Sequence, residues 1–228
     1  MFELAVIIAA ILAFDAVLLG YLAWAFHAQR FADRRLSPSV SLRVPQGERL
    51  RTMAVSSTLS LVTIIGALTF AHRFLVTTAP TSIGRMIFQA AAILVIYDFV
   101  YYWLHRTMHI QALMRFVHGI HHRAKNPSAL ESFYLHPAEL LAGLALLMLS
   151  TWIVGPVHVY AFAVCFFIYS TLNILIHSGL QFGHPLLRPI DALTAKHYVH
   201  HMTDHHKNYS SLTPLPDFVF RTAGSLTR

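Results

Sequence analysis

The segment Met86–His109 reads MIFQAAAILVIYDFVYYWLHRTMH. From Met86 to Leu104 it is a mainly apolar run. At about 1.5 Å per residue, a helix of that length nearly crosses the ~30 Å hydrocarbon core of a bilayer. The run then delivers His105 and His109, four residues apart. A helix continued through them sets both imidazoles on one face, about 5–6 Å apart at Cβ. A membrane span that ends in two metal-capable side chains organises the reading of the rest.

Composition agrees with a membrane chain. Of 228 residues, 56% are hydrophobic and only 12% charged, against about 25% charged in an ordinary soluble domain. Mean hydropathy is +0.54. These values exclude a disordered chain, a secreted disulfide scaffold and a soluble nucleic-acid binder. The single cysteine, Cys165, permits neither an intramolecular disulfide nor a cysteine-built metal cage. Histidine, with 16 residues against 10 acidic ones, is the most abundant side chain able to bind a metal.

Four further apolar segments flank the first: Phe2–Phe26, Met53–Val76, Leu140–Val154 and Val157–Ile176. The last two read either as two spans or as a re-entrant hairpin. Phe2–Phe26 has no basic leader and reads as a retained span. The polar loop from Ala28 to Arg51 carries Arg30, Arg34, Arg35, Arg43, Arg49 and Arg51. Placing this loop in the cytoplasm, by the positive-inside rule, puts every Lys and Arg but Arg73 and Arg85 on the cytoplasmic side. The formal net charge of +7 therefore reads as topology, and no nucleic-acid partner is expected. The same path puts the histidines at cytoplasmic span ends or loops, save His72 and His158, with His27 at the end of the first span.

His118, His121 and His122 stand at i, i+3, i+4, and His197, His200 and His201 repeat that HxxHH spacing. With the His105/His109 pair these make eight histidines, each group on one helical face. A mononuclear site needs three or four ligands, so eight suffice for two metals. Imidazole suits Zn, Cu, Fe and Ni and argues against Mg and Ca.

The stretch from Asp98 through His105 to His109 resembles the first box of the fatty acid hydroxylase / sterol desaturase superfamily. So do His118-Gly-Ile-His121-His122, His136-Pro-Ala-Glu139, Asn173-Ile-Leu-Ile-His177-Ser-Gly179, His197-Tyr-Val-His200-His201, Asn208-Tyr209 and Asp217-Phe-Val-Phe220-Arg-Thr222. The resemblance covers roughly residues 90–225, and residues 1–85 contribute only spans. The expected division is 1–85, membrane helices and basic loop, and 86–228, the hydroxylase-like part. The expected fold is an all-α integral membrane protein. Four to five membrane-embedded helices carry a cytoplasmic, histidine-rich helical cap that holds a dimetal site.

The resemblance implies two iron ions, O2 as co-substrate, and electrons from NAD(P)H through a separate electron-transfer protein. It implies hydroxylation of a C–H bond in a membrane lipid or sterol-like substrate. By matching positions, the ligands are His105, His109, His118, His121, His122, His177, His197, His200 and His201. Asn173, one turn before His177, stands where some members carry a histidine and is a possible further ligand. Lys196 stands where many have another histidine.

Three neighbours remain open. His136 reads as a ligand, a residue supporting a ligand, or a helix start. Asp98, about two turns before His105, is placed to accept a hydrogen bond from a ligand imidazole or to pair with an arginine. Glu139 follows His136 by three and is placed to orient it. His184, His205 and His206 read as exposed loop residues, and Tyr101, Tyr102 and Trp103 as an interfacial aromatic belt.

Competing readings are a lipid desaturase or oxidative demethylase on the same scaffold, and a non-catalytic zinc-binding membrane protein. Zinc transporters place ligands near the bilayer midplane, whereas here they stand at span ends. The compact chain favours a bacterial inner membrane, although an endoplasmic reticulum protein has the same charge pattern.

Overall fold

A computed structural model describes residues 2–38, 44–202 and 204–225. Arg43 and Arg228, counted above among the topology-setting charges, lie outside the described residues. Five helices are long and apolar enough to cross a membrane: α1 (Phe2–His27), α2 (Gln46–Leu75), α3 (Ile83–Met108), α4 (Pro137–Val154) and α5 (Val159–Ile176). A sixth, α6 (Arg188–Met202), follows them. Helices suit such segments because their backbone hydrogen bonds close internally, without water. Large apolar side chains such as Phe14, Val17, Phe70, Phe88 and Trp152 face outward, as lipid contact requires.

Local chemistry sets the helix limits. The Ser82 side chain accepts from Arg85 N (3.2 Å) at the start of α3. His136 Nδ1 accepts from Ala138 N (3.1 Å), with Pro137 opening α4. His158 Nδ1 accepts from Tyr160 N (3.3 Å) at the start of α5. His136 is therefore a helix start; neither histidine cluster includes it. Gly155 ends α4 at φ 97, a conformation glycine adopts without strain. At 18 residues each, α4 and α5 are about 27 Å long, which supports two crossings over a re-entrant hairpin.

α2 begins seven residues earlier than its apolar segment suggests, because its polar first turn has partners. Glu48 accepts from the Tyr134 hydroxyl and from Arg123 Nη1, both at 2.9 Å. Arg49 pairs with buried Glu131 at 2.5 Å. Arg49 and Arg51 thus lie on the helix and not in the loop.

α1 packs on α5, α2 on α4, and α3 on both α4 and α5. Leu4, Ile8, Ile93, Tyr97, Leu147 and Phe166 are among the residues that fill the bundle. At one end Val76–Thr77 pairs in parallel with Val157–His158, tying the two turns together. The opposite end gathers the C-termini of α1, α3 and α5 and the N-termini of α2 and α4. There Gly179 (φ 65) sits so close to Pro127 O that a Cβ would lie 2.5 Å from it. Residues 1–85 therefore do more than span, since α2 clamps the 123–134 segment beneath the histidines.

Candidate metal centre

α3 carries His105 and His109 out of the bundle on its last turns. The chain reverses and enters a π-turn, Met114–His118. Gly119 makes this turn possible, because a Cβ there would lie 2.0 Å from Met114 O. The turn delivers His118, His121 and His122. His177 follows the last residue of α5, and α6 supplies His197, His200 and His201.

These nine histidines converge in two groups. One holds His105, His109, His118, His122 and His200, and the other His121, His177, His197 and His201. Within each group, one ring nitrogen from every member lies within 4.8 Å of the rest. Opposed ligands of one ion, at about 2.1 Å each, are about 4.2 Å apart. Each group therefore needs only a small contraction to enclose an ion. The groups abut, with the His122 ring stacked on that of His201 (centroids 4.4 Å, 21°). All are buried except His109, which is half-buried.

The far nitrogens fix the tautomers. His105 Nδ1 donates to Tyr209 O (2.7 Å), His118 Nδ1 to Glu139 Oε1 (2.9 Å) and His121 Nδ1 to Tyr134 O (3.0 Å). His177 Nδ1 donates to Asn173 O and His200 Nδ1 to Lys207 O, each at 2.6 Å. These acceptors carry no proton, so the imidazole N–H must be on Nδ1 and Nε2 is a lone pair. Yet His105 Nε2 lies 3.0 Å from His118 Nε2, and His177 Nε2 lies 3.1 Å from His121 Nε2. Two bare nitrogens at that distance repel unless a cation lies between them. Both nitrogens of His201 and Nδ1 of His122 are also buried with no hydrogen-bond partner among the described residues. The donor set therefore fits a metal in each group.

Burial keeps the rings neutral, the form that binds metals. Burial first, then nearby His118, holds His109 down at about 3. Burial, then His121, does the same for His177. Burial also pushes His121, His122, His197, His200 and His201 below the usual imidazole value.

Two expected contacts are replaced by others. Among the described residues, Asp98 is hydrogen-bonded to no imidazole and no arginine. Its carboxylate accepts from the backbone of Ser211 (3.2 Å), Leu212 (2.8 Å) and Thr213 (3.0 Å), and from Thr213 Oγ1 (2.6 Å). It anchors the loop that presents the Tyr209 carbonyl. Glu139 orients His118 and not His136. Asn173 meets the site through its carbonyl, and its residue lines the adjoining cavity.

His205 is half-buried, its ring 4.9 Å from that of His122 and its Nδ1 2.7 Å from His200 O. His184 and His206 are exposed. Tyr102 is buried and stacked on Phe220 (4.7 Å), and Tyr101 lines the cavity, so only Trp103 suits the interfacial belt.

The closing motif forms the frame beneath these carbonyls. Asp217 accepts from Tyr209 N (2.8 Å), Ser210 N (3.1 Å) and Thr222 Oγ1 (2.8 Å), and pairs with Lys196 Nζ (3.1 Å). Lys196, where a further ligand was conceivable, is thus a buried counter-charge. Asn208, at φ 60, donates through Nδ2 to Lys196 O and Gly224 O and accepts at Oδ1 from Gly224 N.

A cavity of about 340 Å³ opens beside the histidines and extends between the spans. His105, His118, His121, His177 and His197 line it at one end, and Leu12, Ile64, Leu144 and Phe166 elsewhere.

Fold and site together define an integral membrane protein with paired candidate metal clusters at one end of its bundle. The chain belongs to the fatty acid hydroxylase family, whose model matches residues 90–222. It is 35% identical over 136 residues to methylsterol monooxygenase 2-2 of Arabidopsis thaliana, covering 56% of this chain and 49% of that protein. It is 30% identical over 166 residues to a very-long-chain aldehyde decarbonylase of Oryza sativa subsp. indica (71% and 62%). It is 27% identical over 165 residues to a cholesterol 25-hydroxylase-like protein of Caenorhabditis elegans (64% and 54%). The chain thus spans between 49% and 62% of the lengths of these relatives. No solved structure matches it. The relatives named here are plant and nematode proteins, so a bacterial membrane gains no support from them.

Proposed function

We propose that the protein is a membrane-bound oxygenase that hydroxylates a C–H bond of a lipid or sterol-like substrate. It uses two iron ions, O2, and electrons passed from NAD(P)H through a separate donor protein. The observation that carries this reading is the pair of bare Nε2–Nε2 approaches, one in each cluster. In the names of its relatives, a monooxygenase and a hydroxylase-like protein, oxygen insertion recurs.

His105, His109, His118, His122 and His200 hold one ion, and His121, His177, His197 and His201 the other. Five imidazoles exceed the four of a closed zinc site, which favours iron. Bound iron supplies O2 activation and oxidation of the substrate carbon. The chain supplies position and dryness. Four backbone carbonyls and the Glu139 carboxylate hold five of the rings by Nδ1, fixing tautomer and orientation. The cavity admits an apolar chain from between the spans and sets which carbon meets the histidine end. The excess of Lys and Arg near that end favours a cytoplasmic orientation for it.

Metal analysis and Mössbauer spectroscopy on detergent-purified protein, after iron-replete expression, test the reading. The expected result is near two irons per chain with a coupled-pair signature. Stoichiometric zinc that iron cannot displace, with no O2 consumption on reduction, would overturn it. Product mass then separates hydroxylation (one oxygen gained) from desaturation (two hydrogens lost).

A further inference from the structure

Asp15 lies in the middle of α1, inside a membrane span, where an acid is costly unless it has a task. It is 6% exposed. Its Oδ1 accepts from Thr171 Oγ1 of α5 at 2.7 Å. Its Oδ2 is buried and has no hydrogen-bond partner among the described residues. Asp15 lines the same cavity that reaches the histidines, as do Ser57 and Ser60 of α2. A staple between α1 and α5 needs one acceptor oxygen, and a neutral side chain would provide it at lower cost. The second oxygen is the unexplained part.

We propose that Asp15 is a specificity-determining residue that binds a hydroxyl group of the lipid substrate through Oδ2. A hydroxyl both donates and accepts, so it pairs with the carboxyl in either protonation state. A purely apolar chain end leaves Oδ2 desolvated and unpaired, which is the strongest form of discrimination a buried polar group offers. Thr171 stands six residues before His177, the residue that caps α5, or about 9 Å along the helix axis. The hydroxyl is therefore held remote from the histidine end, and the carbon attacked is distant from the hydroxyl-bearing one. This inference rests on the cavity being the lipid site.

The test is equilibrium binding of radiolabelled 1-hexadecanol and of hexadecane to the iron-loaded full chain in detergent. Wild type is expected to prefer the alcohol roughly tenfold, the scale of one buried hydrogen bond to a carboxyl. Asp15→Leu brings the two ligands within about twofold. Asp15→Asn, which keeps an oxygen for Thr171 and a polar group for the ligand, keeps the preference. Thr171→Val removes the staple alone and also keeps it.

No alcohol preference in wild type, or one that survives Asp15→Leu, overturns the proposal. So does a preference lost equally in Thr171→Val, which marks a staple only. If Asp15→Leu does not fold, the wild-type and Thr171→Val arms still decide. Binding needs no turnover. An inactive chain that prefers the alcohol refutes the oxygenase reading alone, and an active one without the preference refutes this inference alone.

Discussion

His121 and His200 hold the same place in their HxxHH triplets, and each crosses to the cluster that the other triplet dominates. His118 and His122 stay together, as do His197 and His201. On a helix at about 100° per residue, positions i and i+4 differ by only about 40°, while i+3 falls on the other side of i. One triplet therefore feeds two sites, and the two triplets interlock.

This exchange makes a specific prediction, because the clusters share no ligand. His200→Ala is expected to impair the five-histidine cluster and His201→Ala the four-histidine one. Each variant retains about one iron per chain by elemental analysis, with turnover falling more than about a hundredfold. An active, fully loaded His201→Ala protein would remove that residue from the ligand set.

Among the described residues, Glu139 is the one carboxylate that pairs with a histidine of either cluster, at His118 Nδ1. Glu139→Gln keeps an oxygen for that N–H but loses the charge. Iron retention against a chelator is expected to weaken about 10- to 100-fold, and Glu139→Ala to sit at the severe end. Unchanged retention in both variants would reduce Glu139 to packing.

Asp98 acts through the chain it holds. Asp98→Asn offers an NH2 to donors at 211–213 and strands at least one of them, a loss of about 1–3 kcal/mol. A lowered melting temperature is expected, with the substrate KM unchanged in the surviving enzyme. A large KM effect at unchanged stability would point instead to contact with substrate.

Acid should destabilise the metal-free protein. Burial holds His109 and His177 at about 3 in the folded chain, against about 6.5 when unfolded. The unfolded state therefore takes up protons first, and stability rises with pH across that window. The contribution is complete above about pH 6.5 and is lost progressively towards pH 3. Thermal melts of the apo protein from about pH 8 to pH 5 should show a falling midpoint; a flat or rising one contradicts the buried neutral rings.

The spans and eight of the nine clustered histidines are legible because apolar runs and 3–4 spacing leave marks in sequence, whereas His177 enters only through the family resemblance. The start of α2 is not legible, since the partners of Glu48 and Arg49 lie some 75 to 86 residues away. The acceptors at Tyr209, Tyr134 and Lys207 are backbone carbonyls, which no residue type announces. Asp98 was recognised as an acid within a span, but its partners are backbone N–H groups far along the chain. The crossing of His121 and His200 requires knowing where both triplets dock, which spacing alone does not fix.

Both clusters take ligands from before and after α5. A nascent chain that ends short of α6 presents four members of one group and only His121 and His177 of the other. The Lys207 and Tyr209 carbonyls that orient His200 and His105 emerge later still. Neither group is therefore complete until α6 has been made.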